Sequence, residues 1–188
     1  MEDPQLIEAF VRSTRACFLE FKHAVAVSAP QFGIPHRMFS LKDRRDRITW
    51  IINPEILEVS RVIVADFEGC LSIPEYEGLV PRPYSVLAQF EDLSGKRRTE
   101  RLRGLSARSF LHEFDHLEGI LYLDRLTSLE FFMHTDEADK IRNSKKSFRE
   151  FAGRVVAQAE IRGYQSVLPK MSTPKISSSL VDKVASRF

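Results

Sequence analysis

The chain has 188 residues, with 28 basic and 26 acidic side chains and a formal net charge of +2 at pH 7. This length is typical of a single domain, and a composition of 43% hydrophobic and 29% charged residues argues against a disordered chain. No apolar run reaches the roughly 18 residues that a membrane-spanning helix requires. The near-neutral charge excludes a basic arm over the whole chain, and we expect no sequence-specific binding of nucleic acid.

The first half of the chain changes from helical to strand-like patterning. An amphipathic helix of about four turns is predicted near the N-terminus, where Cys17 is interpreted as a small buried hydrophobe. Short β-rich runs follow, and turn signals such as Asn53-Pro54 and Pro81-Arg82-Pro83 separate them. These runs cover residues 24–29, 38–41, 48–52, 61–65 and 84–90. The last of them is predicted to form a β-hairpin with 97–102.

The second half of the chain returns to helical periodicity. A helix is predicted after Gly104 with Ser106 as its N-cap, and another from Asp136 to about Arg162. The order of helix, strands, helix and helix predicts an α+β fold. We expect one catalytic domain over residues 1–163, followed by a loosely held tail at 164–188.

The helix after Gly104 contains an HExxH sequence, His112-Glu113-Phe114-Asp115-His116. Because four residues are about one helical turn, both imidazoles project from the same face and can bind one metal ion. Glu113 lies beside them and can accept a proton from water. A mononuclear hydrolytic site also needs a third protein ligand and an open position.

Several residues are candidates for the third ligand. The metzincin spacing places Tyr122 there, and a thermolysin-like arrangement would use Glu130 or Glu137. Cys70 is the better candidate, because a thiolate would complete a Cys-His-His site. The alternatives are a general zinc endopeptidase and a structural zinc domain with four protein ligands. The remaining histidines show no ligand spacing and are interpreted as surface or loop residues: His23, His36 and His134.

Three segments, Val27–Gln31, Glu68–Ser72 and His112–His116, occur in the order of the motifs of peptide deformylases. The sequence resembles that family over about residues 5–127. The resemblance implies a peptide-deformylase-like α+β fold, with antiparallel or mixed sheets around a central HExxH helix and helices at both ends. It also implies removal of the N-formyl group from the formylmethionine of nascent peptides, with release of formate.

The resemblance assigns roles to individual residues. Cys70, His112 and His116 would bind one divalent metal ion, with iron(II) as the native ion and zinc, nickel or cobalt as substitutes. Glu113 would be the general base, and the Gln31 side-chain amide and the Leu71 backbone N–H would stabilise the oxyanion. Glu68 would have a supporting role. Asp115 is expected either to hydrogen-bond an imidazole or to be an exposed helix aspartate.

Several positions depart from the family pattern and bear on substrate binding. Ala24 and Ala26 occupy positions where the first motif has glycines, so their methyl groups either narrow the channel or are accommodated by neighbours. Glu77 occupies a position where many members have arginine. Arg108 precedes His112 by one helical turn, and we expect its guanidinium to turn outward. The candidate substrate-binding residues are Ala26, Glu77, Arg82, Arg108 and Ser109.

These departures leave one alternative, a deformylase homologue that keeps the metal site but has altered or lost activity. The C-terminal third has an excess of basic residues, which makes the ribosome a possible partner, although interspersed acidic residues favour a solvated helix. Glu2 and Asp3 precede no apolar core, so a secretory signal is not predicted. Two cysteines fit a reducing compartment, namely the cytoplasm, the mitochondrial matrix or the plastid.

Overall fold

A computed structural model describes residues 4–161, so the predicted tail at 164–188 lies outside the described residues. Eight strands and four α-helices make up this part of the chain. Its helices are α1 (Pro4–Glu20), α2 (Leu105–Leu117), α3 (Thr135–Asn143) and α4 (Lys145–Ile161). The strands are β1 (Ala26–Ser28), β2 (Met38–Lys42), β3 (Ile48–Val59), β4 (Ile63–Cys70), β5 (Ile73–Pro83), β6 (Ser85–Glu91), β7 (Arg97–Arg103) and β8 (Phe132–His134).

The strands form two antiparallel sheets. A five-stranded sheet has the order β1-β2-β3-β6-β7, and a three-stranded sheet has the order β4-β5-β8. The predicted hairpin is present, because β6 pairs with β7 from Glu91 and Arg97 onward. The predicted α+β class is confirmed. No helix within 4–161 is long and apolar enough to cross a membrane.

Helix α2 supplies the centre of the largest hydrophobic cluster. Its apolar stripe has the spacing of one helical face and packs against the five-stranded sheet. Phe110 has its ring centroid 5.0 Å from that of Phe39, in an edge-to-face contact. The stripe consists of Ala107, Phe110, Leu111 and Phe114. Burying each phenylalanine stabilises the fold by about 1.5–3 kcal/mol.

The outer helices pack on smaller clusters. Helix α1 confirms the predicted N-terminal helix and buries Phe10 against Ala29, Met38 and Ile52. Cys17 is buried near its C-terminal end, as expected. Helix α4 places Val155 against the three-stranded sheet. Each outer helix therefore covers one sheet.

Two predictions about the helices are wrong. Helix α2 begins at Leu105 without a side-chain cap, because Gly104 at φ 55° turns the chain directly out of β7, and Ser106 lies in the first turn. The single helix predicted from Asp136 is two helices that break at Ser144. The Ser144 hydroxyl accepts a hydrogen bond from the Ser147 N–H at 3.3 Å, as a serine N-cap of α4 does.

The predicted strand boundaries fail where proline was interpreted as a turn. Strand β3 continues through Asn53-Pro54, where a register shift accommodates the two residues as a bulge. Strand β5 was not predicted, and it includes Pro81-Arg82-Pro83. Its pairing with β8 ends at Gly78, so the prolines lie where β5 has β4 on one side only. An edge position needs no N–H for a second ladder, so proline is tolerated there.

Gly78 lies where β5 passes under Tyr122 and Leu126. A Cβ added at Gly78 would lie 2.8 Å from Leu126 Cδ2 and 2.9 Å from Tyr122 Cε2, whereas one at Gly153 of α4 would meet nothing within 4 Å. We expect Gly78→Ala to lower the free energy of unfolding by about 1–3 kcal/mol, because it overpacks the core. Gly153→Ala is the control and should raise it by about 0.5–1 kcal/mol. Urea unfolding measures both, and a Gly78→Ala protein as stable as the wild type would contradict the packing.

Candidate active site

Three potential ligand side chains meet beside the C-terminal half of the buried α2 helix. Cys70 Sγ and one ring nitrogen each of His112 and His116 all lie within 4.8 Å of one another. The Cys70 Sγ is 3.3 Å from His116 Nε2, and the two imidazole centroids are 4.8 Å apart. One thiolate and two imidazoles form a donor set that suits zinc or iron(II) and leaves a tetrahedral position open.

Cys70 reaches the histidines because it is the last residue of β4. A two-residue turn, Leu71-Ser72, joins β4 to β5, and the register shifts between Gly69 and Cys70. Leu71 lies in this turn directly after Cys70, with its side chain partly exposed. The segment Glu68–Ser72 is therefore the end of a strand followed by a tight turn, not a loop between distant strands.

Protons bind to the same groups that would bind a metal ion. Burial alone would raise the pKa of Cys70, but hydrogen bonds with His112 and His116 lower it to about 5. Burial alone would lower the pKa of His112, but hydrogen bonds with Cys70 and Glu68 raise it to about 10. Cys70 is therefore a thiolate at neutral pH, and metal binding would displace a proton from His112.

Glu113 is buried next to the three ligand candidates. Its side chain is 3% exposed, and burial raises the pKa of its carboxyl group. Its Oε2 atom has no hydrogen-bond partner among the described residues. Because a buried polar atom without a partner is rare, this oxygen marks a place where an exchangeable group such as water fits.

Gln31 directs its amide nitrogen toward the cluster. It lies in a short 3-10 helix, Ala29–Phe32, that follows β1. Its Oε1 accepts hydrogen bonds from the Ser28 N–H at 2.9 Å and the Ser28 hydroxyl at 3.0 Å. The Nε2 atom is thereby turned toward Cys70 Sγ at 3.7 Å and donates to Ser72 Oγ at 3.2 Å.

A buried ion-pair network lies behind His112. The Glu68 carboxylate accepts from Arg82 Nε and Nη2 and lies 2.9 Å from His112 Nδ1. Burial would raise the pKa of Glu68, but Arg82 and the hydrogen bond with His112 hold it well below its usual range. The ionised carboxylate can only accept, so Nδ1 keeps its proton and Nε2 is the nitrogen that would give up its proton to a metal ion.

Asp115 belongs to this network and fits neither of its predicted roles. It is 1% exposed and bonds with Arg82 at 2.5 Å and with Arg125 at 2.5 and 3.0 Å, not with an imidazole. A buried carboxylate needs such charged partners, because its desolvation is otherwise too costly. Asp115 therefore connects α2 to β5 and to the segment after α2.

Two predicted substrate-binding residues are internal. Arg82 is 1% exposed, and its guanidinium is buried against Glu68 and Asp115. The expectation that Arg108 turns outward is wrong, because its guanidinium is buried against Glu68 and backbone carbonyl groups. The sequence did not predict the burial of either arginine, because Pro81-Arg82-Pro83 was interpreted as a turn and belongs to β5.

The other predicted substrate-binding residues are nearer the surface. Glu77 forms an ion pair with Arg142 of α3. Ala26 begins β1 and pairs with Leu41. Ser109 lines a cavity of about 660 Å³, together with residues that include Val25. Contact of these residues with a peptide stays a prediction.

The alternative third ligands have other partners. The Tyr122 hydroxyl donates to the Tyr76 carbonyl at 3.1 Å. Glu130 forms an ion pair with Arg154, and Glu137 forms one with Lys140. Within residues 4–161, Cys70 is the residue that the fold brings to the two histidines. The geometry thus favours Cys70 over the ligands that a zinc endopeptidase would use.

Comparison with known proteins agrees with this site. The family model described as polypeptide deformylase matches residues 2–132. The chain belongs to this family. A peptide deformylase of Agrobacterium fabrum is 38% identical over 64% of this chain and 74% of its own length. One from Novosphingobium aromaticivorans is 43% identical over 50% of this chain, and the match spans only half of that relative.

A solved structure supports the fold independently. The class I type b peptide deformylase of Acinetobacter baumannii matches with a TM-score of 0.62 and 32% identity, over 67% of this chain and 84% of that one. The predicted family and fold are confirmed. The family's enzyme class, a metal-dependent hydrolase of the N-formyl group, agrees with the predicted one.

The two cysteines should differ sharply in reactivity. In metal-free protein at pH 7, we expect iodoacetamide to modify Cys70 rapidly, because its pKa of about 5 makes it a thiolate. Cys17 should react slowly, because it is buried and burial raises its pKa. Mass spectrometry of tryptic peptides measures both rates, and Zn²⁺ should protect Cys70. Equal rates for the two cysteines, or no protection by Zn²⁺, would contradict this assignment.

Proposed function

We propose that the chain hydrolyses the N-formyl amide of peptides that begin with formylmethionine, releasing formate and a free α-amine. The observation that carries the proposal is the Cys70-His112-His116 cluster beside a buried Glu113 oxygen that has no partner among the described residues. This combination offers a metal-ligand set and a base in one place. Family membership supports the choice of the formyl group as substrate.

Cys70, His112 and His116 would hold one divalent ion, with iron(II) as the native ion and zinc, nickel or cobalt as substitutes. The donor set supports this, because imidazole and thiolate suit all of these ions. When bound, the ion supplies Lewis acidity toward a carbonyl group and toward water. The orientation of His112 is fixed by its bond to Glu68, so this ligand needs little reorganisation.

Glu113 would move the proton during the reaction. Its carboxylate would take a proton from the attacking water and later deliver it to the departing amine nitrogen. Burial raises the pKa of Glu113, which makes it a stronger base than an exposed carboxylate. Its position one residue after His112 keeps it next to the ligands through rigid helix geometry.

Gln31 and Leu71 would stabilise the oxyanion that forms on the formyl oxygen. The Gln31 amide is held by Ser28, so its NH₂ group is oriented before substrate arrives. The Leu71 N–H belongs to the turn after Cys70. Donors that are oriented in advance stabilise developing charge without the cost of reorganisation.

The peptide would bind next to Ala26, Glu77 and Ser109. Strands β1 and β4 are edge strands of their sheets, and Gln31 and Cys70 follow or end them. An extended peptide can pair with such an edge through its backbone. The Ala26 methyl group and the Glu77 carboxylate would then shape the channel and set its charge.

The proposed setting is a compartment in which nascent chains carry formylmethionine, namely the cytoplasm of a bacterium, the mitochondrial matrix or the plastid. Both cysteines are free, which fits a reducing environment. We further propose that the basic start of α4 contacts the ribosome. Lys145, Lys146 and Arg149 are exposed there.

Deformylation should depend on Glu113 and Cys70 in different ways. On formyl-Met-Ala-Ser, anaerobically prepared iron-loaded protein should release formate. Glu113→Gln should keep the metal but lower kcat by about 10²–10⁴-fold, because the base is lost. Cys70→Ala should lose the metal, whereas Cys17→Ala is the matched control and should keep both metal and activity. A coupled formate assay and metal analysis measure these outcomes.

Two results would contradict the proposal. One is the absence of formate release by wild-type protein at full metal occupancy. The other is full metal retention in Cys70→Ala, which would favour the ligand set of a zinc endopeptidase.

Ribosome contact predicts a charge dependence confined to α4. The pair Lys145→Glu and Lys146→Glu should reduce cosedimentation with ribosomes at low salt, because the contact would be electrostatic. The pair Arg44→Glu and Arg45→Glu changes the charge equally on an exposed loop and is the control. Equal cosedimentation of both double variants would contradict the contact.

A further inference from the structure

The Glu68 carboxylate accepts four hydrogen bonds. Its Oε1 accepts from Arg82 Nε at 2.9 Å and from Arg108 Nη1 at 2.7 Å. Its Oε2 accepts from Arg82 Nη2 at 2.9 Å and from His112 Nδ1 at 2.9 Å. A carboxylate has about four lone-pair positions, so this group is fully occupied and has one orientation.

Arg108 is held in place by the backbone on its other side. Its Nη1 also donates to the Asp66 carbonyl at 3.2 Å and the Val80 carbonyl at 2.9 Å. Its Nη2 donates to the Val64 carbonyl at 2.6 Å. These carbonyl groups belong to β4 and β5, so the guanidinium is fixed relative to the strand that ends at Cys70.

We propose that Arg108 is a positioning residue for the metal centre, acting through Glu68 on His112. Arg108 is 7% exposed and lies one helical turn before His112, so it does not reach substrate from the surface. It completes a chain of hydrogen bonds that runs from the β4 and β5 carbonyl groups through Glu68 to His112 Nδ1. This inference rests on the proposed function, because it assigns His112 as a metal ligand.

The bidentate contact from Arg82 leaves one lone-pair position on Oε1, and without Arg108 the carboxylate can rock about that contact. Such a motion would carry the imidazole of His112 with it, because their hydrogen bond would follow. Partners that orient a ligating histidine affect metal affinity by about 10–100-fold. A purely structural role for Arg108 predicts instead a loss of stability with an unchanged metal centre.

The test measures metal binding, not turnover. Affinity for Co²⁺ by chelator competition, and the visible spectrum of the Co²⁺-loaded protein, should be recorded for Arg108→Met, Arg108→Lys and wild type. We expect Arg108→Met to bind Co²⁺ about tenfold more weakly and to alter the ligand-field bands. Arg108→Lys should recover part of the affinity, because one charged donor can still reach Glu68 Oε1.

Two further variants separate positioning from stability. Val155→Ala removes buried volume from the cluster between α4 and the three-stranded sheet, and it lowers stability at a position distant in sequence from the ligands. It should leave Co²⁺ affinity within twofold of wild type. In a Glu68→Gln background, Arg108→Lys should have no further effect on Co²⁺ affinity, because the chain of hydrogen bonds from Arg108 to His112 is already interrupted. This comparison serves even if Arg108→Met does not fold.

The inference is overturned if the Arg108 variants that fold bind Co²⁺ within twofold of wild type with an unchanged spectrum. It is also overturned if Arg108→Lys weakens binding equally in the wild-type and Glu68→Gln backgrounds. Failure of wild-type protein itself to bind Co²⁺ would instead contradict the proposed metal site, so the two failures are distinguishable.

Discussion

The position of the site depends on α2 being buried on two chemically different faces. Ala107, Phe110, Leu111 and Phe114 pack against the five-stranded sheet through apolar contacts. Arg108, His112 and Asp115 recur at helical spacing on another face, and salt bridges and hydrogen bonds join them to the three-stranded sheet. Apolar packing fixes the helix on one sheet, while directional ionic contacts fix its rotation relative to the other.

This arrangement explains why a cysteine and two histidines so distant in sequence meet. Cys70 ends a strand of the sheet that the polar face contacts, so the contacts that fix α2 also fix the distance from Sγ to the imidazoles. Removing one partner from a buried ion pair costs about 3–5 kcal/mol, because the other charge stays buried. Breaking a single ion pair of the network is therefore costly, and the metal ligands have a rigid support.

The chemistry of the site could be predicted from sequence because it follows from local spacing. An HExxH segment on a helix places two imidazoles on one face, and this result depends on no distant residue. Cys70 was already the better candidate for the third ligand, and the motif resemblance assigned it that role. The roles of Arg82, Arg108 and Asp115 could not be predicted, because burial depends on a strand whose prolines indicated a turn. Proline is tolerated there only because β8 pairs with β5 no further than Gly78, and the length of β8 is a property of the whole sheet. Similarly, Ser144 ends one helix and caps the next, although the apolar periodicity continues across it.

The coordination of the bound metal ion shows whether the two faces of α2 bring His112 and His116 to Cys70. X-ray absorption spectroscopy of protein loaded with one equivalent of Zn²⁺ measures the ligand types and their distances. We expect one sulfur at about 2.3 Å, two imidazole nitrogens at about 2.0–2.1 Å and an oxygen or nitrogen atom as the fourth ligand. A first coordination shell of nitrogen and oxygen without sulfur would contradict it.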